Sequence, residues 1–248
     1  MLYILDKFIE ASITTNLTMS NSDYVSQKLT TVLARISKAC EANLRRPDSV
    51  KLIGASKKQN IELIQQFSDA GLLDLGENYL QEAIDKQCQR PNLPVSWHFI
   101  GQIQSNKTKL IAQHFDWVHG VDRLKIAKRL AVQHGRQSPI NLLIQLNPDN
   151  EDSKGGVALN DAAELCQQIA EIDGAVLRGF MMIPKAREQQ DQQRAVFAQA
   201  RTLLEHCNQH YGLKLDQLSM GMSGDLEAAI AEGSTMVRIG TDLFGARD

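Results

Sequence analysis

Small polar residues and a lysine pair stand directly after short apolar runs, and their types suit an anionic ligand that carries a carbonyl group. Lys57 and Lys58 follow the first of these runs, whereas Ser223, Gly240 and Thr241 follow the last two. Hydroxyls and approachable backbone N–H groups bind phosphate, and a lysine amine can bond to a carbonyl carbon. Together these residues predict a phosphate cradle at one end of a site and a reactive amine at the other.

Residues so far apart in the chain need a scaffold that brings them together. Amphipathic stripes with apolar residues at i, i+3 and i+4 predict helices, the first of them over Leu29–Cys40. Eight β-branched or aromatic runs predict strands at Val50–Ala55, Leu73–Gly76, Ser96–Ile100, Trp117–Val121, Ile140–Leu146, Leu177–Ile183, Gln217–Met220 and Met236–Gly240.

Strands that alternate with helices indicate parallel βαβ units, because parallel neighbours need a crossover connection. A doubly wound sheet usually has about five to seven strands, so eight units favour the α/β class and a single closed (β/α)₈ TIM barrel. Asn60, Asp122 and Asn160 are predicted to cap helix starts, and Gly233 to end a helix.

In such a barrel the loops after strands seven and eight usually bind phosphate. Pyridoxal 5′-phosphate fits this arrangement, because its phosphate anchors one end while Lys57 forms a Schiff base with its aldehyde. Two alternatives stay open at this point. Lys57 and Lys58 could be solvated loop lysines, which spacing alone favours, or Lys57 could be an aldolase-type amine in a barrel that binds another sugar phosphate.

Composition excludes several classes of protein. The 248 residues are 43% hydrophobic and 23% charged, with a net charge of −2, which excludes a disordered or collagen-like chain. The near-neutral charge argues against a general nucleic-acid or membrane-surface binder, and no apolar run approaches the ~18 residues of a spanning helix.

The four cysteines carry no C-x-x-C motif and are predicted to be buried thiols in a reducing, cytoplasmic compartment; they are Cys40, Cys88, Cys166 and Cys207. Charged residues interrupt the N-terminal stretch Met1–Thr18, which therefore lacks the apolar centre of a signal peptide. We expect residues 1–20 to be a disordered extension, with Met19 as an alternative start, and residues 21–248 to form the barrel.

The chain resembles the pyridoxal phosphate homeostasis protein family over about residues 21–247, in the segments Ser56-Lys57, Gly76–Tyr79, Trp97–Gly101, Gln104–Lys107, Leu177–Gly179, Leu218–Ser223 and Glu227–Arg247. The resemblance implies a barrel of the alanine racemase N-terminal type that binds pyridoxal phosphate. By position, Lys57 matches the Schiff-base lysine, and Ser223, Gly240 and Thr241 match the phosphate cradle.

The same resemblance implies that Arg238 faces the pyridine nitrogen and that Asn78 lines the cofactor. Gly224 and Asp242 depart from the family pattern. A carboxylate at position 242 would disfavour a phosphate beside it unless the side chain points away.

Arginine can only donate hydrogen bonds, so Arg238 would leave the ring nitrogen unprotonated and weaken the cofactor as an electron sink. Racemase relatives take a second base, a tyrosine, from a further domain and a partner subunit. This sequence ends at Asp248, and Tyr79, the tyrosine nearest the mouth, is predicted to lie in a helix and to point elsewhere or against the core.

We therefore expect a monomeric protein without robust catalysis, with no catalytic residues assigned, that holds pyridoxal phosphate in intracellular homeostasis and has PLP-dependent apoenzymes as possible partners. The alternative is a PLP-dependent racemase-like enzyme.

Other histidines and the methionines are predicted to have structural roles. His206 and His210 are predicted to lie on a solvated helix face rather than to bind a metal, and His98 to be a hydrogen-bonded interior histidine. Barrel filling is predicted for Met181, Met182, Met220 and Met222. Lys107 and Lys109 are either solvated or part of a second anion site.

Overall fold

The computed structural model describes residues 21–151 and 155–245. The predicted extension over residues 1–20, including Met19, lies outside the described residues. In the described part the strands form one closed barrel in which each strand pairs in parallel with the next and β8 pairs with β1. The strands are β1 (Lys51–Ala55), β2 (Asp74–Glu77), β3 (Ser96–Phe99), β4 (Trp117–Val121), β5 (Ile140–Leu146), β6 (Ala175–Met182), β7 (Gln217–Ser219) and β8 (Met236–Ile239).

Helices alternate with these strands and confirm the predicted α/β barrel. They are α1 (Asn21–Ala42), α2 (Ile61–Asp69), α3 (Leu80–Gln89), α4 (Thr108–His114), α5 (Leu124–His134), α6 (Leu159–Ala170), α7 (Gln190–Tyr211), α8 (Leu226–Ala231) and α9 (Thr241–Phe244). None of the helices in the described ranges combines the length and apolar character that a membrane crossing requires.

The core is a shell of apolar side chains between the barrel wall and the surrounding helices. Phe67, Phe115, Phe180 and Phe197 are among its largest fully buried members. Helix α1 buries the predicted apolar stripe except for Leu33, which is 47% exposed. It packs against α8 and α9, the helices that flank β8. The first helix is thereby fixed next to the loops that follow the last two strands.

The predicted helix boundaries are only partly right. Asn60 caps α2, with its side chain accepting from Leu63 N at 2.8 Å, and Gly233 has φ +92° just after α8 ends. Asp122 does not cap α5, because Arg123 takes that position and pairs with Asp122 instead. Asn160 lies inside the first turn of α6, whose cap is Ala158. Local polarity alone does not fix where a helix begins when the preceding chain is held by tertiary contacts.

Two burial predictions are wrong. Cys40, Cys166 and Cys207 are buried free thiols, but Cys88 is exposed on α3. Met222 is 39% exposed, because it lies in the loop after β7. Met181, Met182 and Met220 are buried, as predicted.

Candidate functional site

The predicted site residues lie at the C-terminal ends of four neighbouring strands. Since the barrel closes between β8 and β1, the strands β7, β8, β1 and β2 are consecutive around its wall. Lys57 follows β1, Asn78 follows β2 and Ser223 follows β7. Arg238 lies within β8, which Gly240 and Thr241 directly follow. The topology therefore brings all six residues to one side of the barrel mouth.

The turn that carries Lys57 is held by contacts on both sides of it. The Ser56 hydroxyl donates to Glu77 Oε1 at 2.7 Å, and the Ser56 carbonyl accepts from Lys86 Nζ at 2.7 Å. On the other side, Lys58 has φ +64° and its backbone N–H donates to the Glu82 carboxylate. Lys57 is half-buried at the centre of this turn.

A buried ionic cluster lies beneath that turn. Lys86 is 5% exposed, and its Nζ lies 2.6 Å from Glu77 Oε1 and 2.7 Å from Glu82 Oε1. Burial raises the pKa of the Glu77 carboxyl, which the neighbouring Lys86 offsets only in part. Lys86 and Glu82 could not be recognised from the sequence. Their i, i+4 spacing was the available signal, but such pairs are usually solvent-exposed.

Asn78, the residue after β2, has a buried side-chain oxygen, Oδ1, that has no hydrogen-bond partner within the described residues. A Cβ on Gly101 would lie 2.2 Å from the Asn78 carbonyl oxygen, so only glycine lets the loop after β3 come this close. Buried polar atoms are normally paired, and a partnerless acceptor at a barrel mouth suits a ligand donor.

Tyr79 does not occupy the predicted place. It is the cap residue before α3 rather than a helix residue, and its side chain is 53% exposed, so of the two predicted alternatives it is not packed against the core. Together with Asn78 and the exposed Lys107 it lines a cavity of about 480 Å³ beside the mouth.

Arg238 is almost completely buried and hydrogen-bonds to three oxygen atoms. Its Nη1 donates to the Ser219 carbonyl at 2.6 Å and to Ser219 Oγ at 2.7 Å, and its Nη2 donates to the Met182 carbonyl at 2.9 Å. Burial lowers its pKa to about 10, so the guanidinium is still charged at neutral pH. Of its five N–H groups, the one on Nε and one on Nη2 have no partner among the described residues.

The loop after β7 is tightly folded against α8. Gly221 has φ +96°, and a Cβ there would lie 2.7 Å from the Ala229 Cβ. The Met222 N–H donates to Asp225 Oδ1 at 2.6 Å, which closes the turn that presents Ser223. Because this geometry requires a glycine, the backbone at Ser223 has little freedom.

A residue of α1 ties this loop to the segment after β8. Arg35 donates from Nη2 to the Ser223 carbonyl at 2.9 Å and from Nε to Glu227 at 2.9 Å. Its Nη1 donates to Asp242 at 2.5 Å. The Asp242 carboxylate therefore faces Arg35. The positive charge of Arg35 compensates the negative charge of Asp242, which would otherwise disfavour a phosphate beside it. No motif pointed to Arg35, because its role depends on how α1 packs.

The three histidines for which the sequence predicted a position lie in two different surroundings. His98 is fully buried and hydrogen-bonded, as predicted, with Asp74 and His119 as its partners. His206 and His210 are exposed on α7, also as predicted, with ring centroids 4.2 Å apart. Within residues 21–151 and 155–245 no three His, Cys, Asp or Glu side chains are grouped as metal ligands.

Comparisons with known proteins agree with this architecture. The alanine racemase N-terminal domain family matches residues 39–248. A pyridoxal phosphate homeostasis protein of Pseudomonas aeruginosa is 49% identical over 225 residues, which cover 90% of this chain and 96% of that protein. The chain belongs to the pyridoxal phosphate homeostasis protein family. Another member of that family, from Escherichia coli K12, is 43% identical over 228 residues, covering 90% of this chain and 97% of that protein.

Solved structures place this family member among similar barrels. PipY of Synechococcus elongatus, determined with pyridoxal phosphate bound, is 35% identical with a TM-score of 0.78, and the match covers 89% of this chain and all of PipY. D-threo-3-hydroxyaspartate dehydratase of Delftia is 17% identical with a TM-score of 0.61, over 90% of this chain and 59% of that enzyme. The second likeness shows a shared fold alone.

Proposed function

We propose that this protein holds pyridoxal 5′-phosphate reversibly through Lys57 and takes part in intracellular pyridoxal phosphate homeostasis. The observation that carries the proposal is the position of Arg238. This charged, donor-only side chain lies in β8 with two N–H groups available, and the adjacent strand β1 ends at the turn of Lys57. The names of the family members and the cofactor bound to PipY support the same ligand.

Each residue has a distinct part in holding the cofactor. When bound, pyridoxal phosphate supplies an aldehyde with which an unprotonated lysine amine can condense, with loss of water. Lys57 offers that amine from a fixed turn, and Ser223, Gly240 and Thr241 offer hydroxyl and backbone donors to the phosphate. Asn78 Oδ1 offers an acceptor to a cofactor hydroxyl, which would satisfy a buried atom that otherwise lacks a partner.

Arg238 makes holding, rather than turnover, the better-supported role. An arginine can donate to a neutral pyridine nitrogen but cannot accept a proton from it. The electron-withdrawing power of the cofactor is greatest when that nitrogen is protonated, so Arg238 disfavours transamination and decarboxylation, whereas a racemase can tolerate an arginine at this position. A racemase-like enzyme would also need a second base, and the tyrosine nearest the mouth, Tyr79, is 53% exposed.

The remaining parts of the proposal follow from the sequence. We propose a cytoplasmic, monomeric protein that binds neither nucleic acid nor membranes and that exchanges its cofactor with PLP-dependent apoenzymes. The near-neutral net charge of −2 supports the absence of a general nucleic-acid surface.

The experiment compares Lys57→Ala with Lys128→Ala, which removes an exposed lysine from α5. Each protein is incubated with pyridoxal phosphate, reduced with borohydride and digested for mass spectrometry. We expect a pyridoxyl group on Lys57 in wild type and in Lys128→Ala, and loss of both this group and the visible absorbance in Lys57→Ala. Unchanged absorbance in Lys57→Ala contradicts the assignment of the lysine, and amino-acid turnover at enzyme-like rates in wild type contradicts the holding role.

A further inference from the structure

A chain of hydrogen-bonded side chains crosses the barrel interior from Asp74 to Arg238. Asp74 Oδ1 lies 2.9 Å from His98 Nε2, and His98 Nδ1 lies 2.9 Å from His119 Nε2. His119 Nδ1 lies 2.9 Å from Ser219 Oγ, which accepts from Arg238 Nη1 at 2.7 Å. All five residues are buried, and both histidines and Ser219 are completely inaccessible. Asp74 is the first residue of β2, so the chain starts at the N-terminal end of the barrel, away from the mouth.

The two ends fix the direction of every hydrogen bond in this chain. Arg238 can only donate, and an ionised Asp74 can only accept. Burial alone would raise the Asp74 pKa, but the contacts with His98 and with Lys51 Nζ, 2.9 Å away, outweigh it and lower the pKa, so the carboxylate stays charged. Burial lowers the pKa of both histidines and keeps them neutral. A neutral imidazole has one donor and one acceptor, so both must carry their hydrogen on Nε2.

The resulting order is continuous. Arg238 donates to Ser219, the Ser219 hydroxyl donates to His119 Nδ1, His119 Nε2–H donates to His98 Nδ1, and His98 Nε2–H donates to Asp74. An apolar wall surrounds part of this chain, with Trp117 stacked on His98 at 5.6 Å between ring centroids. Because such surroundings strengthen a fully paired network and penalise an unpaired member, the chain has one favoured arrangement.

We propose that Asp74, His98, His119 and Ser219 are positioning residues that orient Arg238 from the opposite end of the barrel, with Asp74 setting the direction of the chain. The Ser219 hydroxyl donates to His119 and leaves its lone pairs to accept from Nη1. If the chain ran the other way, His119 Nδ1–H would donate to Ser219 Oγ beside Nη1, and the hydroxyl hydrogen would have no acceptor among the described residues. The orientation of Ser219 Oγ would then no longer be fixed, and neither would the direction of the two available N–H groups of Arg238.

Two other charged groups near the chain, Asp225 and Lys51, do not orient Arg238 through hydrogen bonds. Asp225 acts on Arg238 through its charge, without a hydrogen bond, from the loop after β7. Lys51 contacts this chain at Asp74, its first residue, and the Lys51 side chain is 39% exposed. Asp74 is therefore the carboxylate to which Arg238 is connected by hydrogen bonds.

The first test uses ¹⁵N NMR of the imidazole nitrogens in the protein without cofactor, with the His119 signals assigned by their loss in His119→Gln. We expect wild type to show neutral Nε2–H tautomers at His98 and His119. Asp74→Leu removes the terminal acceptor and should convert His119, which Asp74 does not touch, to the Nδ1–H tautomer or to a mixture. Lys51→Met keeps the carboxylate and should leave the wild-type tautomers.

The second test rests on the proposed function and measures how strongly each protein prefers pyridoxal phosphate over its N1-methyl analogue, which cannot accept a hydrogen bond on the ring nitrogen. A charge-assisted hydrogen bond predicts a preference of at least about tenfold in wild type. Ser219→Ala should lower this preference severalfold or more. Ser234→Ala removes an equally buried hydroxyl that bonds only to backbone carbonyls of Leu218, Met220 and Met236, and should leave the preference unchanged.

These outcomes separate the two proposals. An unchanged His119 tautomer in Asp74→Leu, or an unchanged preference in Ser219→Ala, overturns the positioning role. If wild type binds neither compound, the proposed function fails, whereas the NMR measurement still decides whether Asp74 directs the chain. A folding defect in Asp74→Leu leaves the Ser219→Ala and Ser234→Ala pair as the decisive comparison.

Discussion

At the scale of single residues, the position of Lys57 depends on neighbouring side chains that hold its turn in place. Lys86 binds the Ser56 carbonyl and two carboxylates from a position that is 5% exposed. A buried ion pair adds little net stability over an apolar replacement, but removing one partner leaves the other charge uncompensated. The cluster therefore fixes the geometry of the reactive turn more than it stabilises the protein.

Lys86→Met should destabilise the protein by about 3–5 kcal/mol, because it leaves the buried Glu77 carboxylate without its cation. Urea unfolding followed by circular dichroism measures the change. The double variant Lys86→Met/Glu77→Gln should recover part of the loss, and Lys128→Met, on an exposed face of α5, should change stability by no more than about 0.5 kcal/mol. Equal stability of Lys86→Met and wild type would contradict the role given to this cluster.

At the scale of elements, α1 acts as a brace for the mouth. Arg35 contacts the loop after β7, the helix α8 and the segment after β8 at once. The guanidinium of Arg35 thus connects, from the outside of the barrel, the two loops that are proposed to bind the phosphate.

Arg35→Met should weaken pyridoxal phosphate binding about tenfold, because the two loops lose their shared anchor and two carboxylates lose their counter-charge. Binding of pyridoxal, which has no phosphate, should change less than twofold. Fluorescence titration of both compounds provides the measurement. Arg45→Met is the matched control, since Arg45 lies just after the same helix but bonds to the Ile230 carbonyl and Ser49. A parallel loss for both ligands would show that Arg35 supports the whole barrel instead of the phosphate loops.

Sequence patterns predicted most elements and part of the site, for physical reasons. The strands Trp117–Val121 and Ile140–Leu146 have the predicted boundaries, because mainly apolar, β-branched or aromatic runs mark strands buried on both faces. Lys57 could be recognised because it lies two residues after such a run. Arg35 and Lys86 could not be recognised, since each looks like a surface residue on an amphipathic helix, and only the packing of that helix reveals its contacts.

The chain of hydrogen-bonded side chains from Asp74 to Arg238 also could not be predicted from the sequence. His98, His119 and Ser219 come from β3, β4 and β7, and only the closed barrel brings them within 2.9 Å of one another in turn. Alternation along a strand indicates which residues face inward, but it does not reveal which inward residues meet. His98 was predicted to find a partner, whereas the identity of that partner depends on the order and stagger of the strands.

At the scale of the whole molecule, closing the barrel buries two neutral histidines at its centre, and stability should therefore depend on pH. The folded-state pKa of His119 lies well below the ordinary value of 6.5. Below about pH 6.5 the unfolded chain binds a proton at this residue that the folded protein does not. Folding stability should consequently fall with decreasing pH by about 1.4 kcal/mol per unit for such a histidine.

The measurement compares the free energy of unfolding of wild type and His119→Gln between pH 5 and 8. The two curves should be parallel above about pH 6.5, and wild type should fall more steeply below it. The contributions of exposed histidines and of carboxylates common to both proteins cancel in the difference. Parallel curves over the whole range would show that burial does not lower the pKa of His119 in the folded protein.

The pairing of β8 with β1 also has a consequence for synthesis. Lys57 follows the first strand, and Arg238, Gly240 and Thr241 belong to the last strand or directly follow it, so both halves of the site meet only where the barrel wall closes. A nascent chain on the ribosome carries Lys57 long before it carries the residues that are proposed to hold the phosphate. Capture of the cofactor should accordingly report completed folding, and a chain stalled before β8 would expose Lys57 without a phosphate cradle opposite it.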